Sequence, residues 1–382
     1  MNTLRQQMSI RELAQGRRGH AEWGQVCGLL DELSDDEVLA HVLDLEVDLH
    51  EWLPEFRETP RRWVKRLQSE GHEPRTQLCR VLGLSSSPHL DELWRVLGSP
   101  DVARIVVLGI GDWGLDATMM PDLAHRLMRI GVKRVDLTGD RIGAGITDIL
   151  RLSVEGELVS LRADSCGLGH GALEKVVAEG AAMGLRELML SLNYFAPRDL
   201  GYLVRLPGLE RLSKLGLDDK ILAAGVRVLV EQAPLYGLQD LDLGGTQCGD
   251  EGVLLLATCP TFSRLEKLSL GGCAVKDAGA ASLGATMSLT ALRELDLKFN
   301  HITATGVRAL LASPRLLALE RLDLSHNEIE DDIVEVLASC PQVARLTSLV
   351  LDDTYLSNEA RAALQALPLP AGVLDLYLLR ED

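Results

Sequence analysis

The chain has 382 residues, of which 46% are hydrophobic and 25% charged, and it carries a formal net charge of −17. This composition is typical of a globular protein with one or two domains and excludes a disordered chain. The negative charge repels a nucleic-acid backbone, so we expect no nucleic-acid ligand and favour a basic partner.

The first residues lack the unbroken apolar core of a signal peptide, and no run of about eighteen apolar residues follows. We therefore expect a soluble chain with no membrane segment. The seven cysteines form no Cys-x-x-Cys pair, and their odd number indicates free thiols in a reducing compartment. A cytoplasmic location is the expectation that follows.

All five tryptophans lie in the first third of the chain, at positions 23, 52, 63, 94 and 113. Apolar residues spaced by three and four positions predict helices over 23–33, 37–56, 61–68 and 90–97. Ser34 is expected to cap the second of these helices. We predict an N-terminal helical module over 1–100 that caps a repeat domain over 101–382, because the first coil of a repeat array otherwise exposes an apolar cross-section.

From residue 105 onward, an apolar residue opens a new repeat every 26 or 27 residues. These positions predict ten full coils and a partial eleventh: Ile105, Val132, Leu158, Leu185, Leu212, Leu238, Leu265, Leu292, Leu319, Leu346 and Val373.

Residues 292–302 show what one coil contains. The Leu-x-Leu segment alternates as a strand does, and an apolar helix-like pattern follows it. Gly252, Gly279 and Gly306 recur at the turn into the helix, where a residue without a side chain packs closely. The pattern predicts an α/β solenoid, a horseshoe with an inner parallel sheet and outer helices.

A polar ladder position follows each strand and can hydrogen-bond the backbone of the tight turn there. It holds Asn193, Asn300 and Asn327, Cys166 and Cys273, and Thr246 and Thr354, with departures at Trp113, Asp140 and Lys220.

This coil resembles that of leucine-rich repeat proteins and is similar to their ribonuclease-inhibitor-like subclass. The phrases Leu-Asp-Leu-Ser-His-Asn-Glu-Ile and Leu-Asp-Leu-Lys-Phe-Asn-His-Ile carry the resemblance, which covers about residues 100 to 379. The resemblance implies partner binding on the concave face. In one branch of the family it implies activation of the small GTPase Ran.

Three constellations suggest other chemistry. Residues 105–114 contain a Gly-x-Gly-x-x-Gly segment with Asp136 downstream, as in dinucleotide-binding folds, but the repeat phase explains its glycines as strand and turn positions. Four side chains on neighbouring coils are possible metal ligands, although solvated polar contacts explain them more simply: His301, His326, Asp323 and Glu328. Cys166 with His170 resembles a thiol and a base, yet the repeat buries the cysteine.

No Gly-x-Ser-x-Gly, His-Glu-x-x-His or P-loop motif is present, so we predict neither an enzyme nor a cofactor. Enzymatic use of the N-terminal module or of the glycine-rich first coil is the weaker alternative.

The concave face carries aspartates interspersed with aromatic residues, which predicts a partner-binding surface for a basic protein. Its predicted contact residues are Met189, Tyr194, Asp218, Asp242, Asp296, Phe299, His301, Asp323, His326, Asp352, Tyr355 and Tyr377. The first hypothesis is a non-enzymatic scaffold or adaptor, and the alternative is a regulator of a small GTPase. The uncovered last strand, 373–379, also predicts self-association through its edge.

Overall fold

The computed structural model describes residues 13, 20–38, 57–84, 89–154, 156, 158–169, 171–180, 183–218, 220–352, 354–367 and 374–375. The chain forms two compact units, residues 1–163 and residues 164–382. Both units repeat a strand followed by a helix, in parallel strands joined by short connections.

The first unit contains helices and strands in alternation after two initial helices. In chain order they are α1 (His20–Asp31), α2 (Arg61–Glu70), β1 (Val81–Gly83), α3 (Leu90–Gly98), β2 (Val107–Gly109), α4 (Met120–Ile130), β3 (Arg134–Asp136), α5 (Ile146–Val154) and β4 (Ser160–Arg162). The four strands pair in parallel, each with the next.

The predicted helices at 23–33, 61–68 and 90–97 correspond to α1, α2 and α3. Most of the helix predicted over 37–56 lies outside the described residues. Its predicted cap is confirmed: the Ser34 hydroxyl accepts the Glu37 N–H at 3.3 Å, while the Glu37 carboxylate accepts the Ser34 N–H at 2.8 Å. This reciprocal arrangement is a capping box.

Strand β1 extends the repeat by one coil upstream of Ile105, which the sequence interpretation missed. Cys79, Leu82 and Leu84 are buried and stand in phase with the apolar positions of later coils. The leucine pattern does not reveal this coil, because Cys79, a small apolar thiol, occupies the position that an aliphatic residue fills in the later coils. The predicted boundary near residue 100 remains a prediction.

The second unit continues the same pattern with eight strands among its described residues. They and the intervening helices are α6 (Ala172–Ala178), β5 (Glu187–Met189), α7 (Leu200–Leu203), β6 (Lys214–Gly216), α8 (Leu222–Gln232), β7 (Asp240–Asp242), α9 (Gly249–Thr258), β8 (Lys267–Ser269), α10 (Asp277–Gly284), β9 (Glu294–Asp296), α11 (Ala304–Leu311), β10 (Arg321–Asp323), α12 (Ile333–Ser339), β11 (Ser348–Val350), α13 (Asn358–Gln365) and β12 (Leu374–Asp375). Each strand pairs in parallel with the next.

The predicted asparagine ladder joins successive coils of the second unit. The Asn300 side chain is buried, and its Oδ1 accepts the N–H groups of Cys273 at 3.1 Å and Val275 at 2.9 Å. Its Nδ2 donates to Leu270 O at 2.9 Å and Leu297 O at 2.8 Å. One side chain thus satisfies four buried backbone groups in two coils, which confirms the role predicted for this position.

The predicted glycines at the helix starts are also explained by close packing. A Cβ on Gly306 would lie 2.4 Å from Asp277 Oδ1 of the preceding coil. That carboxylate accepts the N–H groups of Thr303 at 2.8 Å and Gly306 at 3.1 Å, at the N-terminus of α11. The glycine therefore leaves room for a carboxylate that caps the next helix.

In the first unit, Asp140 occupies the ladder position and is fully buried. Its Oδ1 accepts the Leu115 N–H at 2.9 Å, but its Oδ2 has no hydrogen-bond partner among the described residues. Burial raises the pKa of this carboxyl to about 6. The buried Trp113, one coil earlier, likewise leaves its Nε1–H without a partner among the described residues.

Candidate functional site

In the second unit, the strand side chains alternate between the core and a face that helices do not cover. Leu295 is only 2% exposed, whereas its neighbours Glu294 and Asp296 are half-buried on the opposite side. We call that side the open face. It carries three rows of side chains, represented in one coil by Glu294, Asp296 and Lys298.

The first row alternates in charge from strand to strand: Glu187, Lys214, Asp240, Lys267, Glu294 and Arg321. The Lys214 ammonium lies 2.9 Å from the Asp240 carboxylate, and the Lys267 ammonium lies 2.9 Å from that of Glu294. Glu294 is also paired with Arg321. Opposite charges on directly neighbouring strands stabilise the sheet, so this row is electrically balanced within the protein.

The second and third rows are acidic. From residue 164 to residue 352 they contain six carboxylates and one ammonium group: Asp164, Asp218, Asp242, Asp296, Asp323, Asp352 and Lys298. Negative charge on the open face is therefore concentrated toward the carboxyl ends of the strands.

The second-row aspartates have a structural task as well. Oδ1 of Asp242, Asp296 and Asp323 accepts the backbone N–H two residues later, at 3.0, 3.0 and 2.9 Å. Each carboxylate therefore holds the turn that follows its strand. An amide oxygen can do the same, so the turn alone does not require the negative charge.

Crowding of carboxylates is strongest around Asp218. The pKa of Asp218 is raised, first by burial and then by the negative charges of Asp242 and Asp164. Lys298 has the opposite surroundings: its ammonium lies 3.0 Å from Asp296, and its pKa is raised by this contact and by the charges of Asp323 and Asp242. The surface thus favours added positive charge.

A shallow concavity of about 300 Å³ lies on the open face across β7 to β11. Side chains of the first two rows line it, among them Lys267, Glu294, Asp296, Arg321 and Asp323. It has a mixed lining of balanced ion pairs on one side and aspartates on the other. Such a surface suits a polar segment of a protein better than an apolar ligand.

The turns after the strands present exposed aromatic residues. Phe299 and His326 occupy the same turn position in consecutive coils, and their rings stack with centroids 4.0 Å apart and planes 8° apart. Both have left-handed backbone, with φ of 55° and 53°. This conformation costs an L-residue roughly 1–2 kcal/mol, and Phe299 is 56% exposed, so burial offsets little of that cost.

The remaining predicted contact residues fall into different surroundings. Tyr194 and Tyr355 are 72% and 71% exposed in their turns, and Asp352 is half-buried. Met189 is buried instead, because its side chain lies over Gly216 of the next strand. Tyr377 lies outside the described residues.

The proposed metal ligands do not converge. His301 Nδ1 lies 2.8 Å from the Glu328 carboxylate, while His326 is engaged with Phe299. No group of three or more His, Cys, Asp or Glu side chains suited to a metal ion occurs among the described residues.

The glycine-rich segment at 105–114 and Cys166 both occupy ordinary positions of the repeat. Gly109 of β2 pairs with Asp136 of β3, 27 residues on, as coil neighbours do. Cys166 is fully buried, and its N–H donates to Asn193 Oδ1 at 2.8 Å, which confirms the structural interpretation. His170 lies outside the described residues.

Two features of the surface were missed from the sequence. The charge alternation of the first row has the same 26- or 27-residue period as the leucines, and aligning the residues that precede the first strand leucine of each coil reveals it. Leu192 in its turn and Leu222 at the start of α8 are exposed and have left-handed backbone, and they carry no comparable signal. None of the described helices has the length and apolar character that crossing a bilayer requires.

Comparison with known proteins agrees with the repeat. The family model described as "Leucine Rich repeat" matches residues 264–284, 288–311 and 318–338. A chain in the crystal structure of the yeast Rad7 and Elc1 complex is similar over 92% of this chain and 95% of its own, with 17% identity and a TM-score of 0.51. An internalin from Listeria monocytogenes is similar over 80% of this chain and 82% of its own, with 15% identity and a TM-score of 0.42. No curated protein matches the sequence.

The likeness to the Rad7 and Elc1 structure concerns the fold alone, because the identity is low. The family model matches three consecutive coils, whose ladder residues are Cys273, Asn300 and Asn327 and whose strands carry the alternating charges. Taken with the alternation of strands and helices from β1 to α13, it identifies the fold as a leucine-rich-repeat solenoid.

Proposed function

We propose that this protein is a non-enzymatic interaction scaffold that binds a basic protein partner through the acidic rows of the open face. The observation that supports this most directly is the excess of six carboxylates over one ammonium group in those rows. Internal cations balance the first row, whereas no described cation lies within salt-bridge distance of Asp242 or Asp323. A partner that brings Lys or Arg to these rows relieves the repulsion around Asp218.

The scaffold role is also in keeping with the architecture. Repeat arrays present extended surfaces whose curvature and length suit protein ligands. The concavity across β7 to β11 is shallow and open, so it can contact a protein segment but does not enclose a small molecule. Within the family, the Asn and Cys ladder together with a helix in each coil supports assignment to the ribonuclease-inhibitor-like subclass, which we also propose.

The test removes charge without disturbing the turns. In Asp242→Asn with Asp323→Asn, the amide oxygens still accept the turn N–H groups, so the fold is preserved while two negative charges are lost. We expect weaker binding of fluorescein-labelled decalysine at about 50 mM salt, and a smaller salt dependence of that binding. The matched control, Glu335→Gln with Glu359→Gln, removes the same charge from exposed helix positions.

Equal affinities of the two double variants would contradict the proposal, because the effect would then reflect net charge alone. The small-GTPase alternative is tested by the GTP turnover of candidate GTPases with and without the chain. An unchanged turnover removes that alternative and leaves the scaffold proposal standing.

A further inference from the structure

The stacked rings of Phe299 and His326, which we call the aromatic turn pair, are not explained by the fold. The same turn position holds Gly245 and Gly272 in the two preceding coils, with φ of 70° and 67°. Glycine adopts this conformation without strain, whereas Phe299 and His326 do not. Phe299 remains 56% exposed, so its burial stabilises the folded chain too little to offset the strain.

One face of the pair is open to a ligand. The next coil covers Phe299 with the ring of His326, but the preceding coil has only Gly272 at this position. The two turns are adjacent, since the Gly272 N–H donates to Lys298 O at 2.9 Å. A Cβ built on Gly272 would meet only backbone atoms of Gly245, at 3.7 Å and beyond. A slot about one coil wide, roughly 4.8 Å, therefore lies beside the Phe299 ring.

The charges around this slot indicate what fits it. Lys298, next in the chain to Phe299, is already held by Asp296 at 3.0 Å, and Asp323 and Asp242 lie on the same face. Carboxylates therefore outnumber the local cation by three to one. A planar cation can stack on the ring and direct its N–H groups to these carboxylates at the same time.

We propose that the aromatic turn pair recognises an arginine side chain of the partner, with its guanidinium stacked on the open face of Phe299 above Gly272. This inference rests on the proposed function, since it names a group that the basic partner must carry. Lysine fits less well because its ammonium is compact and strongly hydrated and has no flat surface to stack.

The experiment compares fluorescein-labelled octaarginine and octalysine, which have equal length and charge, by fluorescence polarisation on the full chain. We expect octaarginine to bind on the order of two- to five-fold more tightly. The substitution Phe299→Gly should abolish this preference by weakening octaarginine binding, with octalysine binding unchanged. Because glycine is native to the position in two neighbouring coils, the variant is expected to fold, which a circular dichroism melt verifies.

The matched control is Leu192→Gly. Leu192 occupies the same turn position, has φ of 57° and is 54% exposed, but it is not aromatic. This variant should keep the full preference for octaarginine. A preference that survives Phe299→Gly, or is lost equally in Leu192→Gly, would overturn the inference.

The experiments also distinguish an arginine side chain from other ligands of the aromatic turn pair. If sedimentation shows that the chain self-associates and that only Phe299→Gly prevents it, with no arginine preference, the pair serves a second copy and the inference is wrong. Equal binding of both peptides, weakened by Asp242→Asn with Asp323→Asn, overturns the arginine site and leaves the acidic scaffold intact. Binding of neither peptide overturns both proposals.

Discussion

The ladder position that follows each strand is built differently in the two units. In the second unit, three buried asparagines occupy this position: Asn193, Asn300 and Asn327. Each accepts a hydrogen bond from a backbone N–H and donates one to a backbone carbonyl. In the first unit, Asp140 has the same burial but can only accept while it is ionised. The carbonyl of Leu137, which matches the one that Asn300 bonds in its own turn, accepts the Asp140 backbone N–H at 3.3 Å instead.

The difference shows that a buried residue of the right shape does not by itself satisfy the backbone groups at the ladder position. Asparagine and aspartate have nearly the same size, but the amide offers a donor and an acceptor without a charge, whereas the ionised carboxylate is charged and only accepts. The cost at Asp140 appears as a raised pKa, because burial penalises the charged carboxylate more than its backbone hydrogen bonds stabilise it. Three substitutions test this comparison, in order of decreasing effect.

The largest effect is expected from Asn300→Asp, which gives the second unit the arrangement of the first. The carboxylate loses the bonds to Leu270 O and Leu297 O and is a buried charge, so we expect the free energy of unfolding to fall by about 3 kcal/mol at pH 8. Urea unfolding followed by far-UV circular dichroism measures it, since residues 164–382 contain no tryptophan. A loss that is no smaller at pH 5, where a raised pKa would protonate the carboxyl, would contradict the explanation.

The reverse substitution, Asp140→Asn, should stabilise the first unit by about 2 kcal/mol at pH 8. The Asp140 pKa is about 6 in the folded protein against an ordinary value of 3.8, so the folded state binds this proton more tightly. The wild type therefore carries the full penalty above pH 6 and loses it progressively as the pH falls toward 4.

Tryptophan fluorescence during urea unfolding reports on this change, because all five tryptophans lie in residues 1–163. The advantage of Asp140→Asn over the wild type should shrink between pH 7 and pH 4. An advantage that stays constant with pH would mean that the gain comes from the new hydrogen bonds alone and not from removal of a buried charge.

A smaller effect is expected from Thr246→Val, which keeps the shape of the ladder residue but removes its hydroxyl. Thr246 is fully buried, and its Oγ1 donates to Leu243 O at 2.7 Å. Losing this bond should lower the free energy of unfolding by about 1 kcal/mol, measured by urea unfolding. Thr246→Ser, which retains the donor, is the control. If the serine variant is the less stable of the two, packing of the methyl group matters more than the bond.

The open face was predictable only in part. The aspartates at 242, 296 and 323 and the aromatic residues at 299 and 355 were found from the repeat, because the period places them on the side opposite the leucines. Their roles were not visible, since a turn hydrogen bond to Oδ1 and a ring stack between coils depend on distances of a few ångströms. Met189 was likewise predicted as a contact residue, but its side chain is buried over Gly216 of the next strand, which the repeat pattern does not reveal.

By itself the sequence determined the coil, its 26- or 27-residue period and the direction in which each strand residue points, because one buried apolar position per strand fixes the alternation of all the others. Only the tertiary structure decided which charges are already neutralised by a neighbouring coil and which remain for a partner. That distinction depends on the approach of side chains 26 or 27 residues apart in the sequence. It separates the balanced first row from the acidic rows, and it places Phe299 between the ring of His326 and the bare turn of Gly272.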